Sequence, residues 1–554
     1  MSSKNKRKRS NNAEPTLAID LKNLNRDLLT FPHPFQEGRY GTGCPPKTVL
    51  ELNMMRMSGA IRSKSKWFDK FKDQTIRNKW KKEALEQGQL TDKQIDYVLA
   101  ELEYYDSLRD NSMEMSPVDG VWQSDQLIPD QIKQTLITSV RSLEDIPDKE
   151  KDWHPGTNQQ ILDLVHPSLF CYVNQTTRVI NETNRLITVN NALEQIGLGQ
   201  SIDINTTIKK QSKEANYTKS KAYQWLPAEF NVSEGGQVTV ESYINNLHPT
   251  ENKDLYRIIE QIFERFIPLF NKTLTDLMTV SERSNRIKVD PYSWYDERNS
   301  DDEEDENYYY NRSITIPDVN EFHMPPAITS SIDLRGRKLQ VIVKLANIVL
   351  TPENPSYPGG VWHVEGMENE HIVATGIYYY SSSNITQSAL QFRTVIREPD
   401  YEQNDNRGVG IVYGLGNALP LNQSLGELVT QEDRCIVFPN LYQHRVAPFQ
   451  LQDVTQSGER KILVFFLVDP TIRILSTAHV PPQQSHWLIG LLRCMHPFNQ
   501  LPIIVLDKII SYIDFPMNVK QAKAHRESLM AERKYFIAQN NELLFERPFS
   551  LCEH

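Results

Sequence analysis

Cysteine is scarce in this chain of 554 residues. The five cysteines are odd in number and far apart, so the sequence shows neither a disulfide framework nor a Cys-x-x-Cys zinc pattern. Long apolar runs are also missing, since the longest stretch, 462–468, is far shorter than the roughly 20 residues that span a bilayer. The missing apolar run excludes a membrane-spanning protein. The ordinary balance of 39% hydrophobic and 24% charged residues excludes a wholly disordered one.

Positively charged residues are fewer than negatively charged ones. The chain has 61 Lys and Arg against 71 Asp and Glu, a formal net charge of −10. Binding to a phosphate backbone needs clustered positive charge, so we do not expect a nucleic-acid substrate or a membrane partner. The dense basic run at 4–9 is either a nuclear-localisation patch or part of a solvated tail. No apolar signal segment follows Met1, which predicts an intracellular protein in the cytoplasm, the nucleus or both.

Composition and hydrophobic patterning divide the chain into five predicted segments. Helical spacing of apolar residues, with a capping box at Thr91 and an amphipathic stretch at 254–277, predicts a mainly helical N-terminal region packed on a later core. A short helix is also predicted through 161–165. The full division is a disordered basic tail at 1–15, the helical region at 16–295, an acidic loop at 296–312, a strand-rich core at 313–480 and a helical extension at 481–554.

The core is predicted from strands that follow one another closely. Five segments rich in β-formers, separated by glycine and proline clusters, lie at 339–345, 372–380, 410–413, 434–438 and 461–468. Strands without helical patterns between them indicate an antiparallel sandwich or jelly roll. The predicted fold class is therefore α+β, with a double-stranded β-helix (jelly roll) core and extensive helical N- and C-terminal extensions.

One group of residues in the core has the composition of a metal site. His363 and Glu365 stand two positions apart, so on a strand both side chains point to the same face. His444 follows the predicted strand 434–438. Two histidines and one carboxylate form the facial triad of non-haem Fe(II) oxygenases. We therefore predict His363, Glu365 and His444 as metal ligands.

A cation on the next strand extends this pattern. Three protein ligands leave three octahedral positions, enough for a bidentate 2-oxo acid and dioxygen. The distal carboxylate of such a co-substrate suits the fork of donors on Arg460. We predict Lys344, Asn347 and Tyr378 as further co-substrate contacts.

The order His-x-Glu, His, Arg resembles the Fe(II)/2-oxoglutarate dioxygenase superfamily, whose members share a double-stranded β-helix. This resemblance implies Fe(II) and 2-oxoglutarate as cofactors. It also implies hydroxylation or demethylation of a substrate that the sequence does not specify, either a small molecule or a protein.

Two features depart from the common pattern. The carboxylate is Glu365 rather than Asp, and Ile462 stands where many members have Ser or Thr, so the partner hydroxyl must come from elsewhere.

Longer phrases resemble a single, mostly fungal family known as domain of unknown function 4246. They are WLPAEF at 225–230, SYINNLHP at 242–249, GGVWHVEG at 359–366, NEHIVATG at 369–376 and LCEH at 551–554. The resemblance runs from about residue 30 to the last residue, so it implies one family unit rather than a string of separable domains. The family's activity is not established, and the prediction of an oxygenase rests on the triad.

Two other functions remain open from sequence. The same triad with Zn²⁺ and an activated water is typical of a hydrolase. A jelly-roll interaction module with a coincidental triad needs no metal at all. His154 and His166 are each followed by proline and show no ligand pattern, and His371 is interpreted as a core histidine or as a neighbour of the site. The sequence does not indicate an oligomeric state.

Overall fold

The computed structural model describes residues 31–37, 44–181, 185–203, 218–279, 285–295, 312–326, 331–403, 405–513 and 515–550. The predicted tail at 1–15 and nearly all of the acidic loop lie outside these residues. The described α-helices are α1 (Pro34–Glu37), α2 (Val49–Arg62), α3 (Trp67–Lys70), α4 (Gln74–Glu86), α5 (Asp92–Ser107), α6 (Asp130–Glu144), α7 (Lys253–Thr279), α8 (Asn406–Tyr413), α9 (Ser485–Leu492), α10 (Ile503–Ile510) and α11 (Val519–Asn540).

The strands before residue 241 have at most five residues, and all of the long strands follow residue 336. They are β1 (Glu114–Met115), β2 (Trp122–Ser124), β3 (Ile161–Val165), β4 (Tyr172–Val173), β5 (Arg178–Val179), β6 (Gln200–Ser201), β7 (Tyr223–Gln224), β8 (Ala228–Val232), β9 (Val238–Val240), β10 (Arg337–Leu350), β11 (Ser356–Tyr357), β12 (Ile372–Ser383), β13 (Ser388–Val395), β14 (Asn422–Thr430), β15 (Cys435–Pro439), β16 (Gln443–Val446), β17 (Phe449–Gln450) and β18 (Gly458–Val468).

The large sheet has nine strands, and all of its pairings are antiparallel. Its order is β1-β2-β15-β12-β18-β10-β8-β9, with β3 pairing along the other half of the free edge of β10. The centre is the pair β10–β18, in register from Val341 opposite Leu467 to Leu350 opposite Gly458. Mixed helix and sheet, with an antiparallel sheet of many strands, is therefore the observed architecture.

A second, three-stranded sheet, β14-β13-β16, packs on one face of the large sheet. We call this the inner face of the large sheet. On β10 it carries Ile342 and on β18 Val464 and Phe466, and these pack with Leu390 and Phe392 of β13. Because side chains alternate along a strand, the neighbouring positions lie on the outer face, which the helices cover.

Helix α7 covers the outer face. Its apolar stripe, predicted from sequence, is buried: Phe263 and Phe266 contact the ring of Phe465 on β18, with ring centroids 5.1 and 5.4 Å apart. Helix α6 lies beside it, and both contribute to one core cluster with β10, β12 and β18. The prediction of a helix at 254–277 is confirmed, and Pro268 lies inside it on the exposed side.

Two predicted elements were wrong. The segment 410–413 is not a strand but the end of α8, which begins after the capping residue Asp405 and ends at Gly414 in the left-handed conformation. The segment 161–165 is not a helix but β3, because its apolar residues are divided between the two faces of a sheet edge rather than one face of a helix. The other four predicted strands are confirmed as β10, β12, β15 and β18.

The region 16–295, expected to be mainly helical, also supplies strands. Seven of its described elements are helices, but β2, β3 and β8 join the large sheet directly. The sheet therefore takes strands from well before residue 313. Among the residues that the structure describes, no helix is long and apolar enough to cross a membrane.

Candidate metal centre

The two histidines of the predicted triad are neighbours through their backbones. His363 and His444 form an isolated antiparallel bridge, in which His363 N–H donates to the His444 carbonyl at 3.2 Å and the reverse bond is 2.9 Å. His444 lies on β16, where it pairs with Phe392 of β13. The bridge places both imidazoles side by side, with ring centroids 4.4 Å apart.

Glu365 completes the group. Its Oε1 is 3.3 Å from Nε2 of His444 and 3.8 Å from Nε2 of His363, and one ligand atom of each residue lies within 4.8 Å of the others. Asn440 holds the backbone at this point. Its Oδ1 accepts from Glu365 N–H at 2.8 Å, and its Nδ2 donates to the Glu365 carbonyl at 3.0 Å. Asn440 was not among the predicted site residues, since a single Asn in a turn carries no sequence signal.

The hydrogen bonds fix which nitrogen of His363 faces the group. Its Nδ1 lies 2.8 Å from the carbonyl of Val361, an acceptor only, so Nδ1 carries the proton and Nε2 keeps its lone pair for the centre. A backbone carbonyl behind the ring is the usual partner of a metal-binding histidine. The donor set therefore fits a divalent metal, with two imidazole nitrogens and one carboxylate.

The electrostatics of the group favour the deprotonated carboxylate. Burial raises the pKa of Glu365, but the contacts with His363 and His444 outweigh it and hold that pKa well below its usual range. Burial lowers the pKa of His444, and the neighbouring His363 lowers it further. Burial also lowers the pKa of His363, yet its contacts with Glu365 give a net rise. An ionised carboxylate beside a neutral imidazole is the state that a metal ligand set needs.

Arg460 lies on the inner face with an unusual environment. Only 2% of it is exposed, and its guanidinium lies near the rings of Phe449 and Tyr379, at 5.1 and 5.5 Å. Nη1 donates to Ser388 Oγ at 3.2 Å and Thr430 Oγ1 at 3.3 Å, while Nε has no hydrogen-bond partner in the segments that the structure describes. No carboxylate among the described residues pairs with it. A buried guanidinium without an acid is costly, and it fits an anionic ligand.

Ser388 and Thr430 supply the hydroxyls that the sequence does not place beside Arg460. They face each other across β13 and β14, with their oxygens 2.6 Å apart. Ser388 is four residues before Phe392, the partner of His444, which corresponds to about 13 Å along the strand. Arg460 and the His-Glu-His group thus both lie beside β13, between the two sheets. Arg460 is at the Ser388 position of this strand and His444 at the Phe392 position.

Two family profiles match the chain. Residues 92–490 match a family described as protein of unknown function (DUF4246), and residues 14–83 match the N-terminal domain of DUF4246. The chain belongs to this family. The resemblance predicted from the sequence phrases is therefore confirmed. No curated protein matches the sequence significantly.

Solved structures that resemble this DUF4246 chain do so only distantly. For IDO from Bacillus thuringiensis, the identity is 13%, the TM-score is 0.16, and the match covers 24% of this chain and 46% of that one, less than half its length. TqaL, titled an Fe(II)/(alpha)ketoglutarate-dependent dioxygenase, is 11% identical with a TM-score of 0.19, covering 62% and 94%. ThoJ, a non-heme monooxygenase in a nickel complex, is 12% identical with a TM-score of 0.16, covering 36% and 66%. Likenesses this weak carry no argument about fold or reaction.

The other predicted contacts of the DUF4246 chain divide between the two faces. Lys344 shares the inner face with Ile342 and is near enough to His363 to act on it electrostatically. Asn347 lies on the outer face, where Nδ2 donates to Glu144 of α6 at 2.7 Å. Tyr378 is fully buried in the core cluster beneath the helices. The expectation that Asn347 and Tyr378 bind the co-substrate does not hold, because strand alternation turns both away from the site.

Neighbours of the predicted ligands also point away, as alternation requires. Arg445 lies over the ring of Trp362 at 4.5 Å, with Arg393 on the same ring at 4.8 Å, so Trp362 does not line the interior. Lys461 is on the outer face, where it pairs with Glu144 at 3.0 Å. His371 is packed edge-on against His33, with centroids 5.6 Å apart, and does not join the ligand group.

Proposed function

We propose that this protein is an Fe(II)/2-oxoglutarate-dependent oxygenase built on a double-stranded β-helix, acting on a substrate of unspecified class. His363, Glu365 and His444 would hold the iron, and Arg460 would bind the distal carboxylate of 2-oxoglutarate. The observation that carries the proposal is Arg460: a guanidinium 2% exposed, with no acid partner among the described residues, on the inner face that also faces a converged His-Glu-His group. A hydrolase with Zn²⁺ at the same triad gives no role to such a buried cation.

Each residue has a separate task in this proposal. Bound iron and 2-oxoglutarate would supply the oxidising chemistry with dioxygen. Val361 and Asn440 orient the ligands, since one accepts the proton of His363 and the other holds the backbone of Glu365. Ser388 and Thr430 hold the guanidinium of Arg460 in place. Phe438 packs its ring against His444, with centroids 4.7 Å apart, and limits water beside the ligand.

The direct test measures metal and co-substrate separately. Anaerobic Fe(II) binding and oxygen-dependent formation of succinate from 2-oxoglutarate are followed for the wild type, His363→Ala and Arg460→Met. We expect His363→Ala to lose iron and turnover, and Arg460→Met to keep iron but lose turnover. His371→Asn is the control: its backbone is left-handed, with φ 45°, which Asn tolerates, and its ring lies outside the triad.

Two results contradict the proposal. Iron binding and succinate formation that are the same in the wild type and in His363→Ala exclude the triad. A zinc-loaded wild type with hydrolytic activity that is insensitive to 2-oxoglutarate makes the chain a hydrolase.

A further inference from the structure

A second group of metal-ligating side chains lies at the edge of the large sheet. We call His154, Asp163 and His166 the edge cluster. Asp163 is on β3, and His166 comes directly after that strand. His154 lies on an extended segment beside β3, where its N–H donates to the Ile161 carbonyl at 2.8 Å and Trp153 bridges Leu162. One ligand atom of each of the three lies within 4.8 Å of the others.

The edge cluster shares the inner face with the His-Glu-His group. Asp163 pairs with Ala346 of β10, and cross-strand partners point to the same face. Ala346 in turn lies two residues from Lys344, on the inner face. The cluster is therefore a separate group, one strand further toward the edge than β10, and none of its members belongs to the triad.

The atoms of the edge cluster are arranged for a cation. Nδ1 of His154 is 2.8 Å from Oδ2 of Asp163, a spacing also found between neighbouring ligands of one metal ion, and the two histidine rings are 5.0 Å apart. The side chain of Asp163 is 1% exposed, and its Oδ1 has no hydrogen-bond partner within the described part of the chain. An unpaired carboxylate oxygen in the interior is costly, so it points to a ligand that supplies positive charge.

No cation among the described residues donates a hydrogen bond to that oxygen, although Lys344 on β10 acts electrostatically on the same carboxylate. Arg526 of α11 directs its fork to Asp152, with bonds of 2.5 and 3.0 Å, and reaches only Oδ2 of Asp163, at 3.7 Å. Arg526 therefore approaches the oxygen that His154 contacts and leaves Oδ1 to a ligand. His154 has 18% of its side chain exposed, which leaves the cluster accessible from solvent.

His166 sets a condition on binding. The amide of Ser168 donates to its Nδ1 at 3.2 Å, so in the neutral ring the proton sits on Nε2. A metal at Nε2 moves that proton to Nδ1, at the expense of the Ser168 contact. Metal binding through Nε2 therefore requires the other tautomer of the neutral ring.

We propose that His154, Asp163 and His166 bind one Zn²⁺ ion, separate from the metal of the His-Glu-His group. Two imidazoles and one carboxylate suit zinc, and three protein ligands leave an open position of the kind found in catalytic rather than structural zinc sites. This proposal does not depend on the oxygenase assignment. The site is not visible when 161–165 is interpreted as a helix, because that geometry separates Asp163 from His154.

The test counts metal ions in the full chain, purified without a metal-binding tag. The protein is stripped with a chelator, dialysed against Zn²⁺ with a weak competing chelator, and its zinc content is measured by mass spectrometry. We expect two ions for the wild type and one each for Asp163→Asn, His154→Gln and His363→Ala. Asp163→Asn has nearly the same shape, and circular dichroism checks its fold. Co²⁺ titration should give a second absorption step that Asp163→Asn lacks.

The variants separate this proposal from the proposed function. If Asp163→Asn and His154→Gln bind as much zinc as the wild type, the edge cluster is not a zinc site, whatever the triad does. If His363→Ala keeps the full wild-type zinc content and Asp163→Asn loses an ion, the edge cluster holds zinc while the triad does not.

Discussion

Arg460 and Arg526 are both 2% exposed, but their charges are handled differently. Arg526 forms a two-bond pair with Asp152, whereas the hydrogen bonds of the Arg460 guanidinium among the described residues go to the hydroxyls of Ser388 and Thr430. Those two hydroxyls also form a hydrogen bond with each other, so both keep a hydrogen-bond partner when the guanidinium is removed. Burying a charge without an opposite one costs free energy of folding, and positions with such a cost are often retained for function.

The first prediction follows from this contrast. Arg460→Met should leave the free energy of unfolding unchanged or raise it by about 1–3 kcal/mol, because it removes an uncompensated buried charge. It should also weaken 2-oxoglutarate binding by about 30-fold or more. Urea denaturation and calorimetric titration measure the two effects.

Arg526→Met is the matched control. It leaves Asp152 with Lys523 alone and removes the arginine beside buried Asp163, so it should lower the free energy of unfolding by about 3 kcal/mol. A large loss of stability in Arg460→Met, equal to that in Arg526→Met, would mean that Arg460 is a structural residue.

The second prediction concerns a buried histidine. Burial, together with the neighbouring His371, lowers the pKa of His33 to about 4. The unfolded chain therefore binds more protons than the folded one between pH 4 and 6.5, and stability falls as the pH falls through this range. The contribution of His33 between pH 7 and pH 5 is about 2 kcal/mol.

His33→Gln should reduce the loss of stability between pH 7 and pH 5 by that amount in urea denaturation. His323→Gln, at an exposed position, should leave the pH dependence as it is in the wild type. Identical pH profiles for all three proteins would show that His33 titrates alike in the folded and unfolded states.

At the scale of elements, the contact between α7 and β12 is set by one glycine. A Cβ on Gly376 would lie 2.9 Å from Phe266 and from Phe270 of α7, and both rings are fully buried. Real Cβ atoms do not approach this closely, so a side chain here would push the helix from the sheet. The lack of a side chain lets α7 lie directly on the strand that leads away from the metal centre.

The third prediction is that Gly376→Ala lowers the free energy of unfolding by about 1–3 kcal/mol through overpacking. Gly360→Ala is a control, since the nearest atom to its added Cβ would be 3.5 Å away and its backbone is not left-handed. Thermal denaturation compares the two. Equal stability of both variants would show that α7 shifts at no cost.

The elements also show where sequence reasoning succeeds and fails. The strands β10, β12, β15 and β18 were predicted because they are buried on both faces and read as apolar runs. β13 and β14 were missed because polar residues alternate along them. The helix α8 was missed because its cap, Asp405, was outweighed by the apolar residues that follow. Each wrong prediction followed from local composition, whereas the observed structure of these segments depends on tertiary packing.

The candidate site shows the same division. A pair such as His363 and Glu365 is visible in sequence because strand alternation fixes its geometry, and the spacing to His444 suggests the third member. Ser388, Thr430 and Asn440 were not visible, since their roles depend on which strands face each other. Asn347 and Tyr378 were misplaced because one step along a strand reverses the face.

At the scale of the whole molecule, the N-terminal helices share their core with the sheet. One cluster of buried side chains includes Trp67 of α3, Ile95 of α5, Phe263 of α7 and Val343 of β10. The segment matched by the N-terminal family profile, 14–83, therefore does not bury its apolar residues alone. Removal of these helices would expose apolar surface on the rest of the protein.

A buried charge cluster around Arg286 connects helices α2 and α5 with the segment that contains Asp119. Arg286 contacts Glu101 of α5 at 2.8 Å, Asp119 at 3.2 Å and Glu51 of α2 at 3.5 Å. Burial lowers the pKa of Arg286, but these acids outweigh it and raise that pKa well above its usual value. Because one guanidinium neutralises acids from several segments, its loss should be felt by all of them.

The fourth prediction is that the chain unfolds as one unit. In native-state hydrogen exchange, peptides from α5 and from β10 should report the same free energy of opening, because both lie in the shared core. Arg286→Met should lower both values by about 3 kcal/mol, since it leaves buried Glu101 without its ion-pair partner, while Glu51 keeps Lys47 and Asp119 keeps Arg62. A variant in which α5 opens more easily while β10 is unaffected would instead divide the protein into two domains, and would place the metal centre in a domain that folds without the N-terminal helices. The shared core argues against this division, because the outer face of the sheet that carries the centre is covered by the same cluster that buries α5.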